Sequence, residues 1–520
     1  MSAVHAARAD RAVIELLDDL RRRRVRLWSE NGELRYRAPK GVVNSEVLAQ
    51  LSRMGEKIVA LLESAPRVQT ALPPLVARHP ADHVPLSHSQ FKYWHAYQLN
   101  ERMTLRSVAS ATAVSGPLDV PLLQYCAGKV VERHEALRTR IVTIDGAPAQ
   151  LVEESYEVEF PVFDLTDRSE EARAAEAQRL IHELICTPVH VSTGPLVGLR
   201  LIKLAAEEHV LVIAMEHIIS DGFSLNLFLR DLLMLYLQAA GIGGASLPAV
   251  SIQLPDYAVW QRKSHGAWMD VHGKYWQHRL SDCKRVIFPA DVTSSDPDTA
   301  GYGMVPVRIN ADTKHELTQW CRARRTTLVL ALFTAFSALI LKWCRQPDAI
   351  IRYQTDGRVT PLIENSIGYF AAVMNLRIEM REGDTLLDLL ERVTQEYCAA
   401  CEHADASFID SQVPRPGYTR NSGFNWVPCP PPVLPGAANA QEPLRWRPWA
   451  FERPRLEGYE WEDEPSIILF EHPDGIEGTL FFAPKRVSFA AMEKFRDELL
   501  SMIDLMLTAS ERKIASIPCG

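Results

Sequence analysis

The chain runs to 520 residues, more than one average domain, and its 47% hydrophobic and 23% charged residues are ordinary for a soluble globular protein. A net charge of -8 speaks against wholesale nucleic-acid binding. No apolar run reaches the roughly 18 residues a membrane span needs, and the N-terminus, MSAVHAARADRAVIELL, is too charged for a signal peptide. The expected compartment is the cytoplasm.

Nine cysteines, an odd number spread over the whole length, do not make a disulfide framework. Cys398 and Cys401, with His403 nearby, are the one close pair. They lie in a helical pattern and lack the second ligand pair that zinc requires, so no metal is expected.

Residues 1–70 reverse the overall charge, with 13 Lys and Arg against 9 Asp and Glu, which suggests an appended module with its own partner. Val13, Ile14, Leu16, Leu17 and Leu20 have helical spacing. RVRLW and ELRYRA then flank Asn31-Gly32, a strong hairpin signal. A second helical run, SEVLAQLSRMGEKIVALLE, opens with Ser45 as N-cap. Arg22, Arg23, Arg24, Arg26, Arg35, Arg37 and Lys40 place cations on or beside the hairpin. They suit a solvated basic face or, better, an acidic peptide added as a strand and paired through its carboxylates. Nucleic acid is the weakest of the three, because the remainder of the chain is acidic.

LLDDLRRRRVRLWSENGELRYRAPKGVVNSEVLAQL resembles the N-terminal β-hairpin docking domains of bacterial nonribosomal peptide synthetase and hybrid polyketide assembly lines. RLW, the turn and LRYRAPKG carry the likeness. It implies a helix–hairpin–helix docking domain over residues 1–65 that captures the short acidic tail of an upstream carrier protein. Residues 66–84 are Pro-rich without periodicity and read as a linker.

From residue 85 helices and strands alternate in mixed α+β style. PLLQYCAGKVVERHEALRT and EEARAAEAQRLIHELICTP are helical, the second stopped by Pro188. LVGLRLIKLA and EHVLVIAME are neighbouring strands. Two helices follow in TKHELTQWCRARRTTLVLALFTAFSALILKWC, a strand and loop in DAIIRYQTDGR, and a strand pair in SIGYFAAVMNLRIEM. PSIILFEHPDGIEGTLFFA reads as a hairpin turned at Pro-Asp-Gly. GIGGASL imitates the segment around a carrier protein's modified serine, but no carrier bundle fits between it and DYAVWQ, so Ser246 is a loop serine.

The chemistry concentrates in MEHIISDGFS, Met215 to Ser224, a loop between a buried strand and a helix. A carboxylate near an imidazole raises its basicity and fixes its orientation, which draws attention to Glu216, His217 and Asp221. Gly222 is expected to permit a tight turn.

This stretch resembles the HHxxxDG signature of condensation domains in nonribosomal peptide synthetases, with Glu216 in place of the first histidine. The likeness continues in order through LSHSQFKYW, RHEALRTRI, LPDYAVWQ, IGYFAAVMNLR, GYTRNSGFNW and SIILFEHPDGIEGTLFF. It implies two chloramphenicol-acetyltransferase-like lobes in a V, residues 85–255 and 256–520, with a tunnel between them. The reaction implied is acyl transfer from a carrier-bound phosphopantetheine thioester to an amine or alcohol, with no cofactor bound to this chain. His217 would accept or orient the nucleophile's proton. Asp221 would hold the loop, Arg358 being its candidate partner, and backbone N–H groups near Gly222 could stabilise an oxyanion. Glu216 would either orient His217 or be a tolerated replacement, the second being preferred. Ala372 departs from the family's asparagine and puts the usual tunnel contacts there in doubt.

Heterocyclisation is disfavoured by His217, and epimerisation by Leu225. A non-catalytic recruitment scaffold and a coenzyme A-dependent acyltransferase remain as alternatives. The chain ends soon after its last helix, so it is expected to act in trans. In this it resembles stand-alone, chain-releasing condensation enzymes such as the one ending enacyloxin assembly, with an alcohol acceptor slightly preferred over an amine.

Overall fold

The computed structural model describes residues 26–30, 33–37, 51–55, 57–59, 72–79, 83–99, 107–241, 246–283, 286–292, 301–358, 360–403, 421–427, 444–451 and 464–518. They divide into two compact units, Met1–Leu72 with Ala323–Arg325, and Pro73–Arg322 with Thr326–Gly520.

In the first unit β1 (Arg26–Glu30) pairs antiparallel with β2 (Glu33–Arg37). Glu30 stands opposite Glu33, and the expected Asn31-Gly32 turn lies outside the described residues. Arg26 faces Arg37, and Arg35 faces Trp28. Residues 51–55 and 57–59 are helical, with Leu51 and Ile58 buried at a two-turn spacing. The first expected helix, and with it Arg22, Arg23 and Arg24, lies outside the described residues, as does Lys40.

The second unit holds two large sheets. The five-stranded sheet is built from β3 (Val108–Ser115), β6 (Val162–Asp164), β7 (Val197–Ala205), β8 (Glu208–Met215) and β13 (Arg445–Pro448), in the order β13-β3-β8-β7-β6. A separate hairpin pairs β4 (Thr139–Ile144) with β5 (Ala147–Val152). The six-stranded sheet is built from β9 (Gly303–Asn310), β10 (Asp348–Thr355), β11 (Ala372–Glu379), β12 (Gly423–Val427), β14 (Ser466–His472) and β15 (Gly475–Phe482), ordered β11-β10-β12-β14-β15-β9. SIGYFAAVMNLRIEM is therefore one strand, not two. Its N-terminal half is a loop, and β11 finds its partner in β10.

The helices that matter below are α1 (His88–Leu99), α2 (Val120–Arg133), α3 (Glu170–Cys186), α4 (Gly222–Ala239) and α5 (Leu254–Trp268). Strand β8 explains why its sequence reads as a continuous apolar run rather than an alternation. Leu211, Ile213 and Met215 join one core with Leu123 and Val130 of α2 and Leu227 and Phe228 of α4. Val210, Val212 and Ala214 join another core with Leu180, Ile181 and Leu184 of α3. Both faces of the strand are buried, so both need apolar residues.

The expected linker is tied down where it is described. The Arg78 backbone N–H and Nη1 donate to Asp256 Oδ1 at 3.0 and 2.7 Å. Trp260 Nε1 donates to the Pro73 carbonyl at 2.6 Å, and the Gln150 N–H donates to the Val84 carbonyl at 2.8 Å. A segment without periodicity can still be ordered when its partners are α5 and β5 rather than itself.

Candidate active site

The site is built where β8 gives way to α4. After Met215 the chain makes one 3-10 turn, His217–Ile219, and enters the helix at Gly222. Glu216 caps the turn, its carboxylate accepting from the Ile218 N–H, while its own N–H donates to the Leu196 carbonyl at 2.8 Å. The Ser220 hydroxyl donates back to the Glu216 carbonyl at 2.8 Å.

The His217 imidazole is half-buried, and its Nδ1 lies 2.8 Å from the Ser220 carbonyl. A carbonyl only accepts, so Nδ1 carries the proton and the neutral ring keeps its lone pair on Nε2. The rings of Tyr93 and Tyr369 stand 5.4 and 4.7 Å from it, centroid to centroid. Glu216 does not orient this ring through a hydrogen bond of its own. Its carboxylate is fully buried and instead accepts from the Tyr97 hydroxyl and the Ile218 N–H. Burial pushes the Glu216 carboxyl up to about 7, against the opposing pull of Tyr97 and the backbone donors.

Asp221 is buried, and both of its carboxylate oxygens are bonded. Oδ1 accepts from the Ser224 N–H at 2.9 Å and the Ser224 hydroxyl at 2.8 Å, capping α4. Arg358 approaches with Nη1 2.9 Å from Oδ2 and Nη2 3.3 Å from Oδ1. The N–H groups of Phe370 and Ala371 donate to Oδ2 at 3.2 and 3.3 Å. Burial opposes ionisation of this carboxyl, but Arg358 and Ser224 outweigh it and hold it below the usual carboxylate range. The guanidinium lies over the rings of Phe223 and Phe370, 4.4 and 4.8 Å from their centroids.

Two glycines differ in what they do. Gly357 has φ +64, and a Cβ there would come within 1.7 Å of the Phe370 carbonyl, so the TDGR turn requires glycine. Gly222 is not in the left-handed region, which corrects the expectation that it serves a tight turn. It is the first helical residue, and a Cβ on it would meet nothing within 4 Å. Ala372 opens β11 opposite Thr355 and is buried.

The segment LSHSQFKYW acts on the same turn. Ser87 and Gln90 bond each other at the start of α1, and Gln90 Nε2 donates to the Ile218 carbonyl at 3.0 Å. Tyr93, Tyr97, Ser220 and Tyr369 join the site only in the fold. Only the four-residue spacing of Tyr93 and Tyr97, which puts both on one face of a helix, hinted at a joint task. Among the described residues no cluster of three or more His, Cys, Asp or Glu could hold a metal ion, and no single helix is long and apolar enough to cross a membrane.

The family description "Condensation domain" matches residues 80–412, more than half of the chain. The chain belongs to the condensation-domain family. This is a family of acyl-transferring enzymes. Residues 13–64 match a second family, the TubC N-terminal docking domain. This condensation domain is 29% identical over 413 residues to the enniatin synthase of Fusarium equiseti, a match covering 76% of this chain and 13% of that protein. The chain spans only 5–15% of the length of such curated relatives. Two solved structures share the fold across 98% of the chain at a TM-score of 0.65. One is the EpoB cyclization-docking bidomain from Sorangium cellulosum, at 20% identity and 99% coverage of that structure. The other is the condensation domain of chain release from the enacyloxin polyketide synthase, at 21% identity and 98% coverage.

Proposed function

We propose that this chain transfers an acyl group from a carrier-protein phosphopantetheine thioester to an alcohol or amine, releasing the chain as an ester or amide. The observation that carries the reading is the bond from His217 Nδ1 to the Ser220 carbonyl, 2.8 Å, which leaves Nε2 as the proton acceptor in the turn. The nucleophile attacks the thioester carbonyl as its proton passes to Nε2. Collapse of the tetrahedral intermediate breaks the carbon–sulfur bond, and the proton leaves with the pantetheine thiol. The first N–H groups of α4, at Gly222 and Phe223, lack intrahelical acceptors and suit the oxyanion. Asp221 and Arg358 hold the loop rather than react.

In this account the two sheets are the cores of two chloramphenicol-acetyltransferase-like lobes arranged in a V. The pantetheine arm stays on its carrier protein, and no cofactor is bound to the chain itself. Residues 1–65 dock an upstream carrier through its short acidic tail, using Arg22, Arg23, Arg24, Arg26, Arg35, Arg37 and Lys40. The setting is the cytoplasm, and the likeness to the enacyloxin domain supports the chain-releasing role.

The test is intact-protein mass spectrometry of an acylated carrier with this enzyme and a panel of alcohols and amines. Unloading of the carrier with formation of one ester or amide is expected. Unloading with none of the acceptors would overturn the reading in favour of a recruitment scaffold. Equal turnover of free coenzyme A thioesters would favour the coenzyme A-dependent alternative.

A further inference from the structure

The turn that carries His217 is held from its buried side by two residues whose fit is mutual. The Glu216 carboxylate has no exposed surface and accepts from both the Tyr97 hydroxyl and the Ile218 N–H. From there the links run in sequence. The Glu216 carbonyl takes the Ser220 hydroxyl at 2.8 Å, and the Ser220 carbonyl takes His217 Nδ1–H at 2.8 Å. Tyr97 comes from α1, whose Tyr93 also touches the edge of the Tyr97 ring and lies beside the His217 ring. One helix therefore contacts Glu216, His217 and, through Gln90, the Ile218 carbonyl.

The acceptor arithmetic explains why glutamate stands here. Several buried donors converge on residue 216, the Tyr97 and Tyr93 phenols and the Ile218 and His217 N–H groups, and the two oxygens of a carboxylate can accept them. A neutral histidine, the residue of the HHxxxDG pattern at this place, has one acceptor nitrogen and would leave the other donors unmatched in a dry site. The departure from HHxxxDG and the tyrosine on α1 are thus one feature.

We infer that Tyr97 and Glu216 form a positioning pair for His217, which keeps the turn closed so that Ser220 fixes the Nδ1-protonated tautomer and Nε2 stays the proton acceptor. The inference rests on the acyl-transfer reading for its consequence, but its structural half can be read without turnover.

The experiment uses the full chain with 15N-labelled histidine and reads the His217 tautomer by long-range nitrogen–proton correlation, the signal being assigned by its loss in His217→Ala. Tyr97→Phe removes one oxygen, and Glu216→Gln preserves the side chain's volume, so either variant can report if the other fails to fold. The wild type should show the Nδ1-protonated form. Each variant should show a mixture of tautomers and a roughly tenfold lower kcat with the donor KM unchanged. Glu216→His, which restores the family's residue, should also lose activity, and adding Tyr97→Phe should recover part of it. An unchanged tautomer and unchanged kcat in both single variants would overturn the pairing. If the wild type unloads no carrier, the acyl-transfer reading falls, while the tautomer comparison still decides the pair's role.

Discussion

Asp221 and Arg358, 137 residues apart in sequence, form a two-pronged buried ion pair at 2.9 and 3.3 Å. The pair joins the N-terminus of α4 to the loop after β10, and Ser224 adds a further link through its hydrogen bond with the Gly368 carbonyl at 3.1 Å. The turn that carries His217 is thereby fixed against a segment distant in sequence. Removing one partner strands the other charge in a dry environment. Asp221→Ala and Arg358→Ala are each expected to cost about 3–5 kcal/mol in urea unfolding, with a double variant well short of the sum. The pH dependence has a definite sign. Because the folded Asp221 carboxyl titrates below its unfolded value, its contribution is present above the unfolded pKa and is lost as pH falls through the folded one.

Glu216 behaves oppositely. Its folded pKa, raised to about 7 by burial, exceeds the ordinary 4.5. Its contribution is full below the unfolded value and declines as pH rises toward 7, because ionising the buried carboxyl disfavours the native state. Glu216→Gln should therefore gain stability relative to the wild type between about pH 5 and 8. Unfolding curves at four pH values in that window measure it, and a constant difference would contradict the assignment.

The two glycines of the site separate folding from chemistry. Gly357→Ala must clash with the Phe370 carbonyl and adopt an unfavourable φ, so a loss of more than about 2 kcal/mol and poor expression are expected. Gly222→Ala meets open space and should melt no lower than the wild type. If that space receives the thioester, Gly222→Ala will still transfer acyl groups more slowly. Parallel thermal melts and unloading assays test both statements.

Arg78 gives a further prediction. Its guanidinium reaches Asp256 at 2.7 Å and Glu135 at 2.8 Å, and Asp256 also accepts from the Gln253 N–H at 2.8 Å at the start of α5. Arg78→Ala should cost about 1–3 kcal/mol in chemical unfolding. It should also make the 72–79 segment more sensitive to limited proteolysis. A freely moving spacer would show neither effect.

Local features were legible in the sequence because they depend on near neighbours. The β7–β8 pair, the β1–β2 pair and the turn after His472 follow from periodicity and turn residues. The turn that carries His217 was legible as a motif. What could not be read was set by distant pairing. Strand β13 is four residues long and lies beside β3, with Arg445 opposite Ser115, a register that no short-range pattern encodes. Tyr97 looks like any helical tyrosine until α1 is laid against the turn after β8. The conformational role assigned to Gly222 came from its type alone, whereas the backbone shows an ordinary helix start.

On the proposed reaction, His217 Nε2 takes the proton of the attacking nucleophile. The most direct test is single-turnover unloading of an acylated carrier by the wild type and by His217→Ala, followed by intact-protein mass spectrometry. His217→Ala is expected to bind the carrier as tightly as the wild type but to form ester or amide at least about 100-fold more slowly. Unloading at the wild-type rate by His217→Ala would contradict it.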